Sequence, residues 1–336
     1  MLSPESTSST INTTISPIHS NRKNHAMAEI ITQPLSSHCG TLAATIGMFD
    51  GVHRGHLWLI EQLRSWAASR GLKSAVVTFR DHPQNVLRPD GGLQLIMPLG
   101  HRLDLIAATG IDYIVLMDFT PGLSRLDSRG FMRLLRDEYA TAAILMGYNH
   151  RFGHNRNEQL ADYVRHGSEL GIEVARAEEY LARYAPVSSS IIRRLLLDGD
   201  VTEAGNKLGR CFSLSGSVTH GFARGRDIGF PTANVVLPDS NLIVPKNGVY
   251  AVWATLPDGS RHAAMANIGT RPTFADGSQR SIEVHIIGFD GNLYDSVITV
   301  EFVQRLRDER PMSSIDELKR QLTADLALTC KILNSQ

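Results

Sequence analysis

Hydrophobic periodicity changes character once along this chain, and that change limits the folds open to it. From about Glu29 to Ala185, short apolar runs alternate with stretches of helical spacing. The pattern predicts strands over 42–48, 74–79, 113–117, 142–146 and 172–175, and helices over 57–69, 101–109, 128–139 and 159–170. A strand that returns through a crossover helix comes back parallel, so this alternation predicts a doubly wound α/β domain. After about Asn206 six short alternating segments appear: SLSGSVTHG, TANVVL, GVYAVWATL, HAAMANIG, SIEVHIIGF and SVITVEFVQRL. Glycine and proline punctuate them, with hairpin turns expected at Pro257-Asp258-Gly259 and Asp290-Gly291-Asn292. They predict a small six-stranded antiparallel β-barrel. A helix follows from Ser314 to about Asn334, with Ile315, Leu318, Leu322, Leu326 and Ile332 on one face and a capping-box spacing at Ser314 and Glu317. The fold class expected is therefore α/β plus β: a Rossmann-like parallel-sheet domain, then the barrel and its helix.

At 336 residues, 42% of them apolar, the chain is long enough for two domains. The stretch 1–26 is rich in Ser, Thr and Asn without apolar periodicity, and disorder is expected there. The remaining division is placed at 27–204 and 205–336, with the boundary inside 197–207. Lys plus Arg and Asp plus Glu both number 34, which argues against a general nucleic-acid or membrane-surface binder. No apolar run approaches the length of a membrane span. Cys39, Cys211 and Cys330 are far apart and lack metal-ligand spacing, as expected of reduced thiols in a cytoplasmic protein. Small-molecule substrates and a monomer or weak homo-oligomer are expected.

The chemistry concentrates in ATIGMFDGVHRGHL, residues 44–57. An apolar run, a Gly-Met-Phe-Asp-Gly break and His-x-Gly-His before a helical pattern predict a strand, a tight loop and a helix start. Backbone N–H groups and the helix dipole favour an anion there. His53 and His56 can donate to the oxygens of a phosphoryl group, and Gly55 permits close backbone approach. The plain alternative is a pair of loop histidines with no ligand. Further along, Ser188, Ser189 and Ser190 precede a helix carrying Arg193; this suits outer phosphates, or is simply a serine cap with a solvated arginine. The segment MGYNHRFGHNR follows a strand, as a ligand loop at a sheet's carboxyl edge does, or as any solvated connection does. In the second half, Gly216, Gly221, Gly225 and Gly229 precede Pro231-Thr232-Ala233-Asn234. Glycines allow approach to phosphates, and Thr232 and Asn234 offer oxygen ligands for Mg2+, although a turn entering a strand reads the same way. Glu283 lies between Ile282 and Val284; alternation alone leaves open whether it points outward or is a used carboxylate.

Together these segments resemble the prokaryotic bifunctional FAD synthetase family, riboflavin kinase joined to FMN adenylyltransferase. IGMFDGVHRGH looks like its nucleotidylyltransferase signature, GYNHRFG like its G-x-[DN]-x-x-FG loop and VSSSIIR like its SSTxIR motif. GFPTAN, GVYAV, ANIGTRPTF, IEVHI and LRDER resemble its kinase module. The resemblance implies ATP, riboflavin, FMN and FAD as substrates or products, with Mg2+. It implies that His53 and His56 stabilise charge on the ATP α-phosphate, with Gly47, Phe49, Asp50 and Gly55 also at the nucleotide. Ser188, Ser189, Ser190 and Arg193 would hold the departing pyrophosphate, and Asn149 and Phe152 would contact flavin. In the kinase half, Gly221, Gly225, Gly229, Thr232 and Asn234 would hold Mg2+–ATP, Glu283 would be the general base, and Arg307 would bind flavin or cap its site. Asp81, Ser190, His150 and Asp295 depart from the family's usual residues. A kinase with a weakened adenylyltransferase half, and a non-catalytic flavin binder, are the alternatives.

Overall fold

The computed structural model describes residues 28–34, 41–88, 92–155, 157–180, 186–220, 225, 228–271 and 279–334. The expected disordered stretch 1–26, Cys39 and Gly221 lie outside them.

Six strands form one parallel sheet: β1 (Glu29–Ile31), β2 (Leu42–Ile46), β3 (Lys73–Phe79), β4 (Tyr113–Met117), β5 (Thr141–Met146) and β6 (Glu173–Arg176). Their order is β1-β4-β3-β2-β5-β6. The central strands β2 to β5 are buried along nearly their whole length because helices cover both faces. Alternate residues divide between them: Ala75 and Val77 of β3 pack on α5 (Ser128–Tyr139) and α6 (Leu160–Leu170), whereas Val76 packs on α1 (Arg54–Ala68) and α3 (Leu99–Ala107). Two short helices, α2 (Pro83–Leu87) and α4 (Pro121–Ser124), sit in the connections. Local chemistry ends each helix. Asp127 caps α5 by accepting from the Gly130 N–H at 2.7 Å, and α6 stops at Gly171 with φ 70°.

The expected parallel-sheet domain is thus present, with a short extra strand, β1, that the apolar pattern did not reveal. The stretch 197–207, where the domain boundary is expected, is mostly helical. It spans the end of α7 (Ser189–Asp198) and most of α8 (Val201–Leu208), capped by Asp200 accepting from the Glu203 N–H at 3.0 Å. Ile192 and Leu196 of α7 and Val201, Ala204 and Leu208 of α8 bury their side chains in the same core as the barrel interior. The junction is therefore packed rather than extended.

The barrel closes as β10-β11-β8-β7-β12-β9, built from β7 (Phe212–Thr219), β8 (Ala233–Val236), β9 (Gly248–Thr255), β10 (Arg261–Arg271), β11 (Gln279–Ile286) and β12 (Val297–Arg307). Leu214, Val218, Tyr250, Val284 and Val300 fill its interior. The turn at 257–259 joins the paired strands β9 and β10 as expected, with Gly259 at φ 83°. Asp290-Gly291-Asn292 does not make a hairpin. It connects β11 to β12, which β8 and β7 separate, so it crosses the barrel end. Just after it, Asp295 stands at φ 62°, in the left-handed region that favours glycine.

The last helix, α9 (Ile315–Asn334), buries the face that the apolar spacing predicts, a stripe that also takes in Asp325, Thr329 and Leu333. Asp325, Thr329 and Leu333 point inward, while Ile315 is 64% exposed. An ion pair accounts for the carboxylate on that stripe. Arg307 at the end of β12 donates from Nε and Nη2 to Asp325, the latter at 2.8 Å, and draws a carboxylate into the contact face.

Candidate active site

In the parallel sheet, successive strands run outward on one side from β2 through β3 to β4, and on the other from β5 to β6. The reversal lies between β2 and β5, and ligands bind at the carboxyl ends of strands at such a switch point. The loop after β2 ends at His53, with His56 in the first turn of α1; the loop after β5 carries Asn149 and Phe152. The two motifs therefore flank the crevice the topology creates.

The first loop is tightly held. Phe49 and Val52 take left-handed backbone conformations, φ 53° and 36°, that side-chain-bearing residues rarely adopt. Their carbonyl neighbours are all engaged. Thr78 Oγ1 donates to the Met48 carbonyl at 3.2 Å, and Ser189 Oγ donates to the Asp50 carbonyl at 2.8 Å. Arg210 donates to the carbonyls of Gly51 and Val52 at 2.6 and 3.0 Å. The Asp50 side chain is 2% exposed; it accepts from the Ile96 N–H at 3.1 Å and pairs with Arg193. Burial lifts its carboxyl above the ordinary value, against the pull of the Arg193 guanidinium.

His53 is the N-cap of α1, which starts three residues earlier than the apolar spacing predicts. Its Nδ1 accepts the His56 N–H at 3.2 Å, which leaves the proton of the neutral ring on Nε2. The two imidazoles stack 3.6 Å apart, and Phe49 lies 4.9 Å from the His56 ring. Gly55 is required here because a Cβ would meet the His53 ring at 3.2 Å. Burial pushes His53 down to about 4 and His56 well below its ordinary value, so both are neutral at pH 7. His56 Nδ1 is buried and has no hydrogen-bond partner among the described residues. The site thus presents uncharged donors in a dry setting, where a hydrogen bond to developing charge is strong.

The other expected residues divide into exposed and enclosed groups. Asn149 and Ser190 are exposed, and Ser188 caps α7 through the Ile191 N–H at 3.3 Å. Phe49, Asp50 and Phe152 lie beneath the surface. Phe152 packs 4.8 Å from the Tyr163 ring, whose hydroxyl donates to the Phe152 carbonyl. Arg193 is likewise enclosed: besides Asp50, its Nε donates to the Gln94 carbonyl at 2.8 Å. A recess of about 370 Å3 opens at the carboxyl ends of β1 and β4, lined by Thr32, Met117, Leu123, Leu126 and Tyr139 among others. It adjoins the second loop, whose His154 N–H donates to the Leu126 carbonyl at 2.8 Å.

On the barrel, register assembles a second group. Asn234 of β8 stands directly opposite Glu283 of β11, and Glu283 stands opposite Asn267 of β10. Since Val235, Ile282, Val284 and Ile268 fill the interior, this polar row faces outward, and Glu283 is half-buried there. Thr232 is exposed just ahead of β8. Asn267 donates to Glu309 at 3.4 Å. Its partnership with Glu283 escaped the sequence reading, although ANIG carries the same outward phase. Gly225 accepts from the Phe230 N–H at 2.8 Å, and Gly229 has φ 83°, so the glycine loop folds back on GFPTAN. Arg307, expected at the flavin, is bonded to Asp325 and to the Asp308 carbonyl. Among the described residues no group of three His, Cys, Asp or Glu side chains could hold a metal. The neutral oxygens of Thr232 and Asn234 nevertheless fit Mg2+ that arrives with phosphates and keeps its waters.

A switch-point phosphate loop joined to a barrel bearing a polar cross-strand row defines a two-module nucleotide-dependent transferase. Comparison with known proteins gives the family. Residues 36–191 match the FAD synthetase model and residues 208–333 the riboflavin kinase model. A bifunctional riboflavin kinase/FMN adenylyltransferase from Listeria monocytogenes is 34% identical over 285 residues, 83% of this chain and 88% of that protein. One from Pseudomonas fluorescens is 36% identical over 84% of this chain and 90% of that protein. A solved structure described as a macrolide-efflux protein from Streptococcus pneumoniae aligns with a TM-score of 0.81 and 30% identity, over 90% of this chain and 99% of that chain. The chain belongs to the bifunctional riboflavin kinase/FMN adenylyltransferase family, and it carries both domains of two-step FAD synthesis. Among the described residues no helix is long and apolar enough to cross a membrane.

Proposed function

We propose that the chain makes FMN on the barrel and converts it to FAD at the parallel sheet, with modules at 27–204 and 205–336. In the first step the ribityl 5′-hydroxyl of riboflavin attacks the γ-phosphorus of ATP, ADP leaves, and Glu283 takes the hydroxyl proton. Thr232 and Asn234 hold Mg2+–ATP, with Gly221, Gly225 and Gly229 in the phosphate loop. Mg2+ supplies charge neutralisation on the phosphate oxygens. Arg307 acts on the flavin site as a cap, through its anchorage of α9.

In the second step a phosphate oxygen of FMN attacks the α-phosphorus of a second ATP, and pyrophosphate leaves. His53 and His56 donate hydrogen bonds to the oxygens on which charge builds. Ser188, Ser189 and Ser190 take the departing pyrophosphate, while Arg193 acts through Asp50 on the loop. The recess beside Leu126 seats the flavin ring, and Asn149 contacts the flavin. The reading includes a cytoplasmic setting, small-molecule substrates rather than nucleic acid, and a monomer or weak homo-oligomer.

The observation that carries the reading is the cross-strand register of Asn234 with Glu283, because it joins the nucleotide motif to a carboxylate distant in sequence. The test is incubation of the purified chain with riboflavin, ATP and Mg2+, followed by chromatography of the flavins. FMN and FAD together support it; FMN alone leaves only the kinase half, and neither product overturns it.

A further inference from the structure

Arg210 belongs by sequence to the riboflavin kinase match, 208–333, yet its hydrogen-bond partners include residues of the FAD synthetase match, 36–191. Helix α8 ends at Gly209, whose φ of 81° turns the chain and delivers Arg210 against the loop after β2. There one terminal nitrogen donates to the Gly51 carbonyl at 2.6 Å and the other to the Val52 carbonyl at 3.0 Å, with a further bond to the Leu208 carbonyl at 3.3 Å. Gly51 and Val52 are the left-handed residues immediately before His53, with φ of 87° and 36°. A β-branched residue held at positive φ costs energy and persists only where surrounding contacts enforce it. A planar guanidinium with paired donors suits two adjacent carbonyls better than a single ammonium does. The packing on either side agrees: a Cβ on Gly51 would meet Ile96 at 3.0 Å and Leu208 at 3.4 Å, and one on Gly209 would meet Arg54 at 3.3 Å.

We propose that Arg210 is a positioning residue for adenylyl transfer: the kinase module supplies the guanidinium that holds the His53 loop in its strained conformation. The proposal rests on the assignment of FAD formation to that loop. Arg210 acts through the backbone, so its loss misplaces both imidazoles together. Burial lowers its own basicity to about 10, which keeps it charged at neutral pH. The adenylyl-transfer module is then incomplete without the first residues of its neighbour.

The test uses the full chain and measures both activities separately, riboflavin to FMN and supplied FMN to FAD. Arg210→Ala is expected to lower kcat for FAD formation about 10- to 100-fold, since displacement near 1 Å costs up to about that much. FMN formation, on the module that contains Arg210, is expected to stay within about 2-fold, and Arg210→Lys to recover part of the loss. Unchanged FAD formation in Arg210→Ala overturns the proposal. If that variant melts below the assay temperature, Arg210→Gln carries the same readouts, and an equal fall of both activities in it also overturns the proposal. Failure of the unaltered chain to make FAD from FMN is a separate result and removes the underlying assignment instead.

Discussion

Asn234 and Glu283 are directly opposed in one antiparallel ladder, although they lie far apart in the chain. Directly opposed residues carry their Cβ atoms about 5 Å apart on the same face. An amide and a carboxylate are thereby held on rigid strands, which fix geometry better than loops. Glu283→Gln is expected to reduce FMN formation by about 10²- to 10⁴-fold, the usual worth of a positioned base. FAD formation from supplied FMN is expected to continue. Flavin chromatography with each substrate separates the two, and equal loss of both activities sinks the two-site assignment.

His53 caps α1 and stacks on His56, so its removal affects charge stabilisation and loop shape together. His53→Ala is expected to cut FAD formation by at least about 10²-fold, on the scale of losing one donor to a developing oxyanion. Riboflavin phosphorylation is the internal control. Pyrophosphate release from FMN and ATP at the unaltered rate contradicts this role.

Acidification is expected to loosen the fold. His53 has a native pKa of about 4 against 6.5 in the open chain, and His82 is lowered to about the same value, burial being the first cause in both. Between pH 4 and 6.5 the unfolded chain therefore binds more protons, so stability rises with pH across that window and levels off above it. Thermal melts should show a lower Tm at pH 5 than at pH 7.5. His53→Ala should narrow that difference, and a difference left at full size argues against the histidine as its source.

The Asp50–Arg193 pair is enclosed, with side chains 2% and 9% exposed. Removing one partner leaves a buried charge uncompensated, which costs about 3–5 kcal/mol. Asp50→Ala is expected to lower stability by about that amount in denaturant titration, and Asp50→Asn by less because an acceptor remains. A change below about 1 kcal/mol in Asp50→Ala, the worth of an exposed pair, places the ion pair among the weak ones.

Asp325 ties α9 to the barrel through Arg307. Asp325→Ala is expected to cost about 1.5–3 kcal/mol, the scale of a charge-assisted hydrogen bond. If α9 caps the flavin site, KM for riboflavin should rise while KM for FMN in the second step stays constant. Limited proteolysis near 315–334 reports the helix directly, and no change in cleavage speaks against the anchorage.

Much of this arrangement was readable from spacing alone. Leu59, Ile60 and Leu63 recur at helical intervals, and Leu214, Gly216 and Val218 at strand intervals, since each must put its buried residues on one face. The boundary helix α8 was not readable, because Asp, Gly and Thr in DGDVTEAGN carry turn propensity that its packing on the barrel overrides. The face of α9 was readable, but the burial of Asp325 on it was not, because the partner of an ion pair is not visible in sequence.

By itself the sequence determined the two architectures, the histidine-bearing motif after β2 and the kinase motifs, and with them the family. These depend on local periodicity, on glycine where backbone must bend and on short motifs, all of which are read within a few residues. Tertiary structure decided what those residues touch. It put Asn234 beside Glu283, neutralised His53 and His56 by burial, paired Asp50 with Arg193, and brought Arg210 to the loop before His53. The reason is physical: desolvation and hydrogen bonding act between groups brought together by packing, and packing joins positions with no fixed separation along the chain.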